Sequence, residues 1–105
     1  MTTEAMQRLQ LTNALYDVLD PETGLNLVDL GLIYDVSFAA ESGKVLVVMT
    51  FTTPACPAGE VMTDGVRRRL LQEPEVEGVD VEVTFTPPWT PERISDEGRA
   101  QLGAF

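Results

Sequence analysis

Residues Val45 to Phe51 form a nearly continuous apolar run with β-branched content, which reads as a buried strand. From Ala58 onward, Val61, Met62, Val66 and Leu70 recur at helical spacing. Val79, Val81, Val83 and Phe85 then alternate with Asp80, Glu82, Thr84 and Thr86, the clearest strand pattern in the chain. A strand, a helix and a second strand in this order constrain the fold more than any other feature. The helical crossover makes the two strands run parallel in one sheet.

The rest of the chain fits around that unit. Leu11, Ala14, Leu15, Val18 and Leu19 mark one face of an amphipathic helix beginning near Thr3, and Asp20-Pro21 ends it. Pro21-Glu22-Thr23-Gly24 reads as a turn. Leu25 to Gly31 is apolar but interrupted by Asn26 and Asp29, a packed connector with a helical turn around Asn26 to Leu30. Tyr34, Val36, Phe38 and Ala40 alternate with Asp35, Ser37 and Ala39, giving a half-buried strand from Ile33 to Ala40. Glu41-Ser42-Gly43-Lys44 is a hairpin turn into the second strand, which extends to about Thr53. The second helix runs from about Pro57 to Gln72, where Glu73-Pro74-Glu75 breaks it. Thr90-Pro91-Glu92 reads as a cap and first turn of a short helix through about Leu102. The expected fold is α+β: helix, strand, strand, helix, strand and short helix, in two layers over a three-stranded mixed sheet. Residues 1–105 read as one domain.

The junction between the apolar run and the second helix is Thr52-Thr53-Pro54-Ala55-Cys56-Pro57-Ala58-Gly59, and it holds the one cysteine of the chain. Pro57 suits the first turn of a helix, which puts Cys56 at or near the N-cap. Unpaired N–H groups and the positive end of the helix dipole favour thiolate over thiol there. A thiolate binds soft metals and attacks electrophiles. A lone cysteine is also often an inert, small buried hydrophobe.

Composition narrows the chemistry. The 105 residues include no histidine, which removes histidine-based nucleophilic catalysis and histidine metal ligation. One cysteine without histidine does not close a structural zinc site within one chain. A formal net charge of −10 argues against nucleic-acid and anionic-membrane partners, since phosphate binding needs clustered Lys and Arg. No apolar run approaches membrane-spanning length, Met1-Thr2-Thr3-Glu4 is not a signal peptide, and a reducing cytoplasm is the expected location.

The expected topology gathers polar groups at one sheet edge. The start of the first strand, the end of the second and the end of the third meet there. They bring Asp29-Leu30-Gly31, Thr52 to Cys56, and Pro87-Pro88-Trp89 together, with Asp20 and Glu22 folding onto them. Candidate site residues are Cys56, Asp20, Glu22, Thr52 and Thr53, with Cys56 as the metal or cofactor ligand. Each has a structural alternative: an Asx turn for Asp20, a solvated turn residue for Glu22, plain strand residues for Thr52 and Thr53, backbone satisfaction for Asp29 and a core plug for Trp89. Arg67-Arg68-Arg69 reads as a solvated helix face.

These segments resemble the SufT/PaaD-like metal–sulfur cluster assembly proteins. The likeness rests on Asp20-Pro21-Glu22, Asn26 to Tyr34, Thr52 to Pro57, and Pro87 to Pro91 with Ile94-Ser95, four motifs in register. The resemblance implies a small α/β fold of the iron–sulfur cluster assembly type and a role in delivering or maturing clusters. For PaaD-type members it implies support of a phenylacetyl-CoA epoxidase system. Cys56 corresponds to the family's cysteine, and Asp20 and Glu22 to its acid-proline-acid motif. Thr23-Gly24 and Gly59 depart from the family pattern, and the chain ends without the cysteine-bearing tail of some PaaD members.

The expected function is an accessory factor or carrier acting on client apo-proteins or a cluster scaffold, not an enzyme. A transient iron–sulfur cluster or iron shared between chains is the expected cofactor, and a homodimer the expected assembly. The other readings are a thiol enzyme using Cys56 with Asp20 or Glu22 as base, a PaaD-type maturation factor of a phenylacetyl-CoA epoxidase system, and an inert interaction module.

Overall fold

The computed structural model describes residues 3–55 and 57–103. Helix α1 (Thr3–Ala14) continues as a 3-10 turn, Leu15–Asp17, followed by strands β1 (Ile33–Ala39) and β2 (Lys44–Met49). Helix α2 (Gly59–Leu71) crosses to strand β3 (Gly78–Val83). A 3-10 turn, Pro91–Arg93, and helix α3 (Asp96–Leu102) follow. The sheet order is β1-β2-β3, with β1 antiparallel to β2 and β2 parallel to β3. This is the α+β arrangement with a mixed sheet that the patterning predicts.

Alternation along the strands sorts the two faces. Val36 and Phe38 on β1 and Val45, Val47 and Met49 on β2 are buried, together with Leu11, Ala14 and Leu15 from the first helix and Met62, Val66 and Leu70 from α2. The opposite face carries Asp35, Leu46, Asp80 and Glu82, all exposed. Burying a Leu or Val fully contributes about 1.5–3 kcal/mol each, so this apolar layer supplies most of the drive to fold.

Several boundaries differ from the sequence reading, each for a local reason. The helical face predicted through Leu19 ends sooner. Val18 is extended (φ −97°, ψ 120°), so the period changes to two and Leu19 turns outward, 54% exposed, while bridging Asn26. β2 stops at Met49, not near Thr53, because its partner β1 starts at Ile33. The N–H of Thr50 reaches Leu32 O at 2.9 Å, and from Thr52 the chain is exposed. The second helix starts at Gly59, with Ala58 at its cap position. β3 ends at Val83, two residues short of Phe85.

The predicted helix from Pro91 is interrupted. Ile94 and Ser95 are both extended, and Ser95 caps α3 by accepting the Gly98 N–H at 3.0 Å. In β1 the register passes from Ile33↔Met49 to Asp35↔Val48, which makes Tyr34 an extra, bulged residue. Tyr34 therefore leaves the core row of Val36 and Phe38, as bulged residues do.

Candidate functional site

The connector Leu25–Gly31 delivers the first side of the predicted edge. Leu25, Leu27 and Leu30 are buried, and Leu30 N–H bonds Asn26 O at 3.1 Å to close one helical turn. Asn26 and Asp29, three apart, pair reciprocally. The Asp29 N–H donates to Asn26 Oδ1 at 2.8 Å, and Asn26 Nδ2 donates to Asp29 Oδ2 at 2.7 Å. Ser95 Oγ donates to the other oxygen of Asp29 at 2.7 Å. Both carboxylate oxygens are thereby engaged in a buried setting, and Asp29 is a tie between the connector and α3. Its structural alternative holds.

The other segments do meet at this edge. Trp89 Nε1 donates to Leu30 O at 2.7 Å, so the half-buried indole plugs the end of the core. The bulge at Tyr34 lets its hydroxyl donate to Pro87 O at 2.8 Å, and the Arg93 guanidinium stacks 4.7 Å from its ring centroid. A shallow open pocket of about 430 Å³ lies between Gly31, Ile33, Tyr34, Pro87 and Arg93. Gly31 is at φ +77°, and a Cβ there would fall 2.3 Å from the Arg93 carbonyl oxygen, so only glycine fits.

The end of β2 meets the end of β3 through aromatics. Phe51 and Phe85 stack edge-to-face with centroids 6.2 Å apart. The Phe51 ring also occupies the space where a Cβ on Gly59 would sit, 2.8 Å away. This accounts for glycine at a position where the family resemblance leads one to expect a larger apolar residue. Between these anchors, Thr52, Thr53, Pro54, Ala55 and Pro57 are all exposed. Cys56 and its predicted place at the helix cap lie outside the described residues. Among the described residues no cluster of three or more Asp or Glu side chains is arranged to hold a metal ion.

Asp20 sits in a different local device. It is 5% exposed, and its Oδ1 accepts the Glu22 N–H at 3.0 Å while Oδ2 accepts the Thr23 hydroxyl at 3.1 Å. Thr23 Oγ1 in turn accepts the Leu25 N–H at 3.2 Å. This is the Asx-turn alternative, closed by Thr23, the residue that departs from the family pattern. Val18, two residues earlier, faces Gly65 in the second turn of α2, where an added Cβ would be 3.1 Å from Val18 Cγ1. Glu22 is exposed on the turn. The contacts of the Asp20 carboxylate are with its own turn, those of the Asp29 carboxylate with Asn26 and Ser95, and that of the Trp89 indole with Leu30 of the connector.

Of the arginine run on α2, Arg68 is exposed as read, while Arg67 and Arg69 are half-buried. Arg68 pairs with Asp64 at 2.9 Å, and Arg69 bridges Asp17 at 2.9 Å and Glu73 at 3.0 Å. The hydrogen bonds that Arg69 donates to Asp17 and then Glu73 raise its pKa further above its ordinary value. Sequence reasoning did not find three participants: buried Asn26, the Arg93–Tyr34 stack and fully buried Thr50. The Asn-x-x-Asp spacing signals the first, since Asn side chains bond backbone two or three residues on. The other two depend on contacts across the fold.

A mixed three-stranded sheet under two helices, with exposed residues Thr52 to Ala55 and Pro57 between β2 and α2, defines a small α+β domain. The chain belongs to the family described as iron–sulfur cluster assembly protein, whose sequence profile matches residues 8–83. It is 38% identical over 93 residues to the Fe-S protein maturation auxiliary factor YitW of Bacillus subtilis, covering 89% of this chain and 90% of that one. It is 38% identical over 86 residues to the Fe-S protein maturation auxiliary factor SufT of Staphylococcus aureus, covering 82% and 97%. A crystal structure from Bacillus anthracis, described as a domain of unknown function DUF59, superposes with a TM-score of 0.91 at 34% identity, covering 96% and 95%. Among the described residues no helix is long and apolar enough to cross a membrane.

Proposed function

We propose that this protein is an accessory factor or carrier in iron–sulfur cluster assembly and client maturation, acting through Cys56, and that it is not an enzyme. One observation supports this above others. The strand-to-helix loop around Cys56 offers exposed residues on both sides, Thr52 to Ala55 and Pro57, while its ends are pinned by Phe51 against Gly59. The described residues on either side of Cys56 are thus open to a partner without unfolding of the domain. Thr52 and Thr53 flank that contact, with hydroxyls available to a docked partner.

The cluster is cargo in this reading. Clusters take about four thiolate or imidazole ligands, and this chain has one cysteine and no histidine. The remaining ligands come from a second copy, a scaffold or a client apo-protein. A homodimer sharing cluster or iron between two Cys56 thiolates is the simplest arrangement, and a cytoplasmic setting suits a free thiol. The thiol-enzyme reading finds less support, because both Asp20 oxygens already accept hydrogen bonds within their turn.

Anaerobic reconstitution with iron and sulfide tests the proposal, with absorbance, native mass and sedimentation read for the unaltered chain and Cys56→Ser. The expected result is cluster absorbance in a species of two chains or in a ternary mixture with an apo-ferredoxin-type acceptor, lost in Cys56→Ser. Equal cluster transfer by Cys56→Ser, or an intact cluster on a strict monomer without added thiol, overturns it.

A further inference from the structure

We propose that the outer edge of β3 accepts an extended segment of another protein in which apolar and basic residues alternate. Among the described residues no strand lies beyond β3 in the sheet order β1-β2-β3. From Gly78 on, the ladder toward β2 uses even-numbered residues: Gly78 N–H shares Gly43 O with the N–H of Glu77 just before the strand, at 3.4 and 2.7 Å, and Thr84 N–H reaches Met49 O at 2.9 Å. Successive residues of a strand turn their main-chain groups to opposite sides, so Val79, Val81 and Val83 present N–H and C=O at the outer edge. That is the template for strand addition.

The side chains specify what is added. Val79, Val81 and Val83 lie on the helix-facing side, in register with Val45, Val47 and Met49, but none is buried and Val83 is 37% exposed. An incoming strand with apolar residues on that side extends the core layer. Asp80 and Glu82 lie on the open face beside exposed Leu46 and half-buried Val48. Lys44 shares a shallow depression with Asp80, but no ion pair joins them among the described residues. Basic residues on the open side of the incoming strand therefore meet two acids.

The same charges decide against a second copy as occupant. Pairing β3 with its twin sets Asp80 and Glu82 near their counterparts between chains of net charge −10 each. Like charges across a strand pair are destabilising. Acidic residues on an edge are also a usual guard against self-association.

The test uses the full chain and a synthetic peptide alternating Val and Lys, with a Val/Glu peptide as its control. Amide hydrogen exchange and chemical shifts of β3 are followed by NMR. The Val/Lys peptide is expected to slow exchange at Val79, Val81 and Val83 and to bind about tenfold tighter than Val/Glu, as a few cross-strand charge pairs allow. Asp80→Lys with Glu82→Lys, both on the solvent face, should invert that preference. Val83→Pro removes one outward N–H at an edge position where proline is tolerated, and should weaken binding. Absence of protection at those three amides, a preference unchanged by the double reversal, or equal protection from raising protein concentration alone each overturns the proposal.

Discussion

Ser95 grips Asp29 twice: its N–H bonds the Asp29 carbonyl at 2.8 Å and its hydroxyl bonds the Asp29 carboxylate at 2.7 Å. The same hydroxyl accepts the Gly98 N–H at 3.0 Å and so caps α3. One oxygen thus joins the connector to the last helix. Ser95→Ala should destabilise the protein by about 1–3 kcal/mol, the sum expected for a lost cap and a buried acceptor left short of a partner. Urea unfolding of both proteins measures this. A change under about 0.5 kcal/mol, the range of ordinary surface substitutions, would show that the tie is not energetically significant.

Phe51 and Gly59 make a second, steric pair. A Cβ on Gly59 would fall 2.8 Å from the Phe51 ring, so Gly59→Ala should cost about 1–3 kcal/mol despite alanine's better helix propensity. Phe51→Leu removes the ring atoms in the way. In the double variant the alanine should cost less than in the native background, and a double-mutant cycle should show favourable coupling. Additive losses would place the strain elsewhere.

Much of this was legible in the sequence, and the rest was not, for physical reasons. The strand–helix–strand unit followed from Val45–Phe51, the α2 stripe and the Val79–Phe85 alternation, because burial writes its period directly into the chain. Tyr34 broke the alternation of β1 because a bulge depends on the partner register. The break at Ile94-Ser95 was hidden because Ser95 is recruited by Asp29, 66 residues away. At the candidate site, the convergence of Asp29–Gly31 with Pro87–Trp89 followed from topology. What the polar groups do there did not: Asp29 and Asp20 spend their oxygens on neighbouring donors, a choice set by distances that no spacing rule supplies.

Glu92 gives a pH-dependent signature. A hydrogen bond with Thr90, then one with its own backbone, holds its carboxyl below the usual carboxylate range, with Arg99 adding attraction. A carboxyl lowered on folding contributes stability above its unfolded pKa and loses it as pH falls through the folded value. NMR titration should find Glu92 ionising below the ordinary Glu value near 4.3. Thr90→Val should move it upward. A Glu92 titration unchanged by Thr90→Val would assign the shift to the other groups.

The Asp20 turn allows charge and structure to be separated. Thr23 donates its hydroxyl to Asp20 Oδ2 and accepts the Leu25 N–H, so Thr23→Val leaves both groups short of partners at the buried ends of an otherwise exposed turn. The expected cost is about 1–3 kcal/mol, with Thr23→Ser close to native because its hydroxyl reaches the same partners. Asp20→Asn is the informative change. Its amide oxygen still accepts the Glu22 N–H, and its NH₂ faces a Thr23 hydroxyl that has a second lone pair to accept with. The turn should therefore survive, with stability within about 1 kcal/mol of native, while the carboxylate charge is gone. Reconstitution and cluster transfer by Asp20→Asn then report on charge alone. Transfer at the native rate would assign Asp20 wholly to the turn; loss of transfer at preserved stability would give its carboxylate a role toward the cargo or the partner.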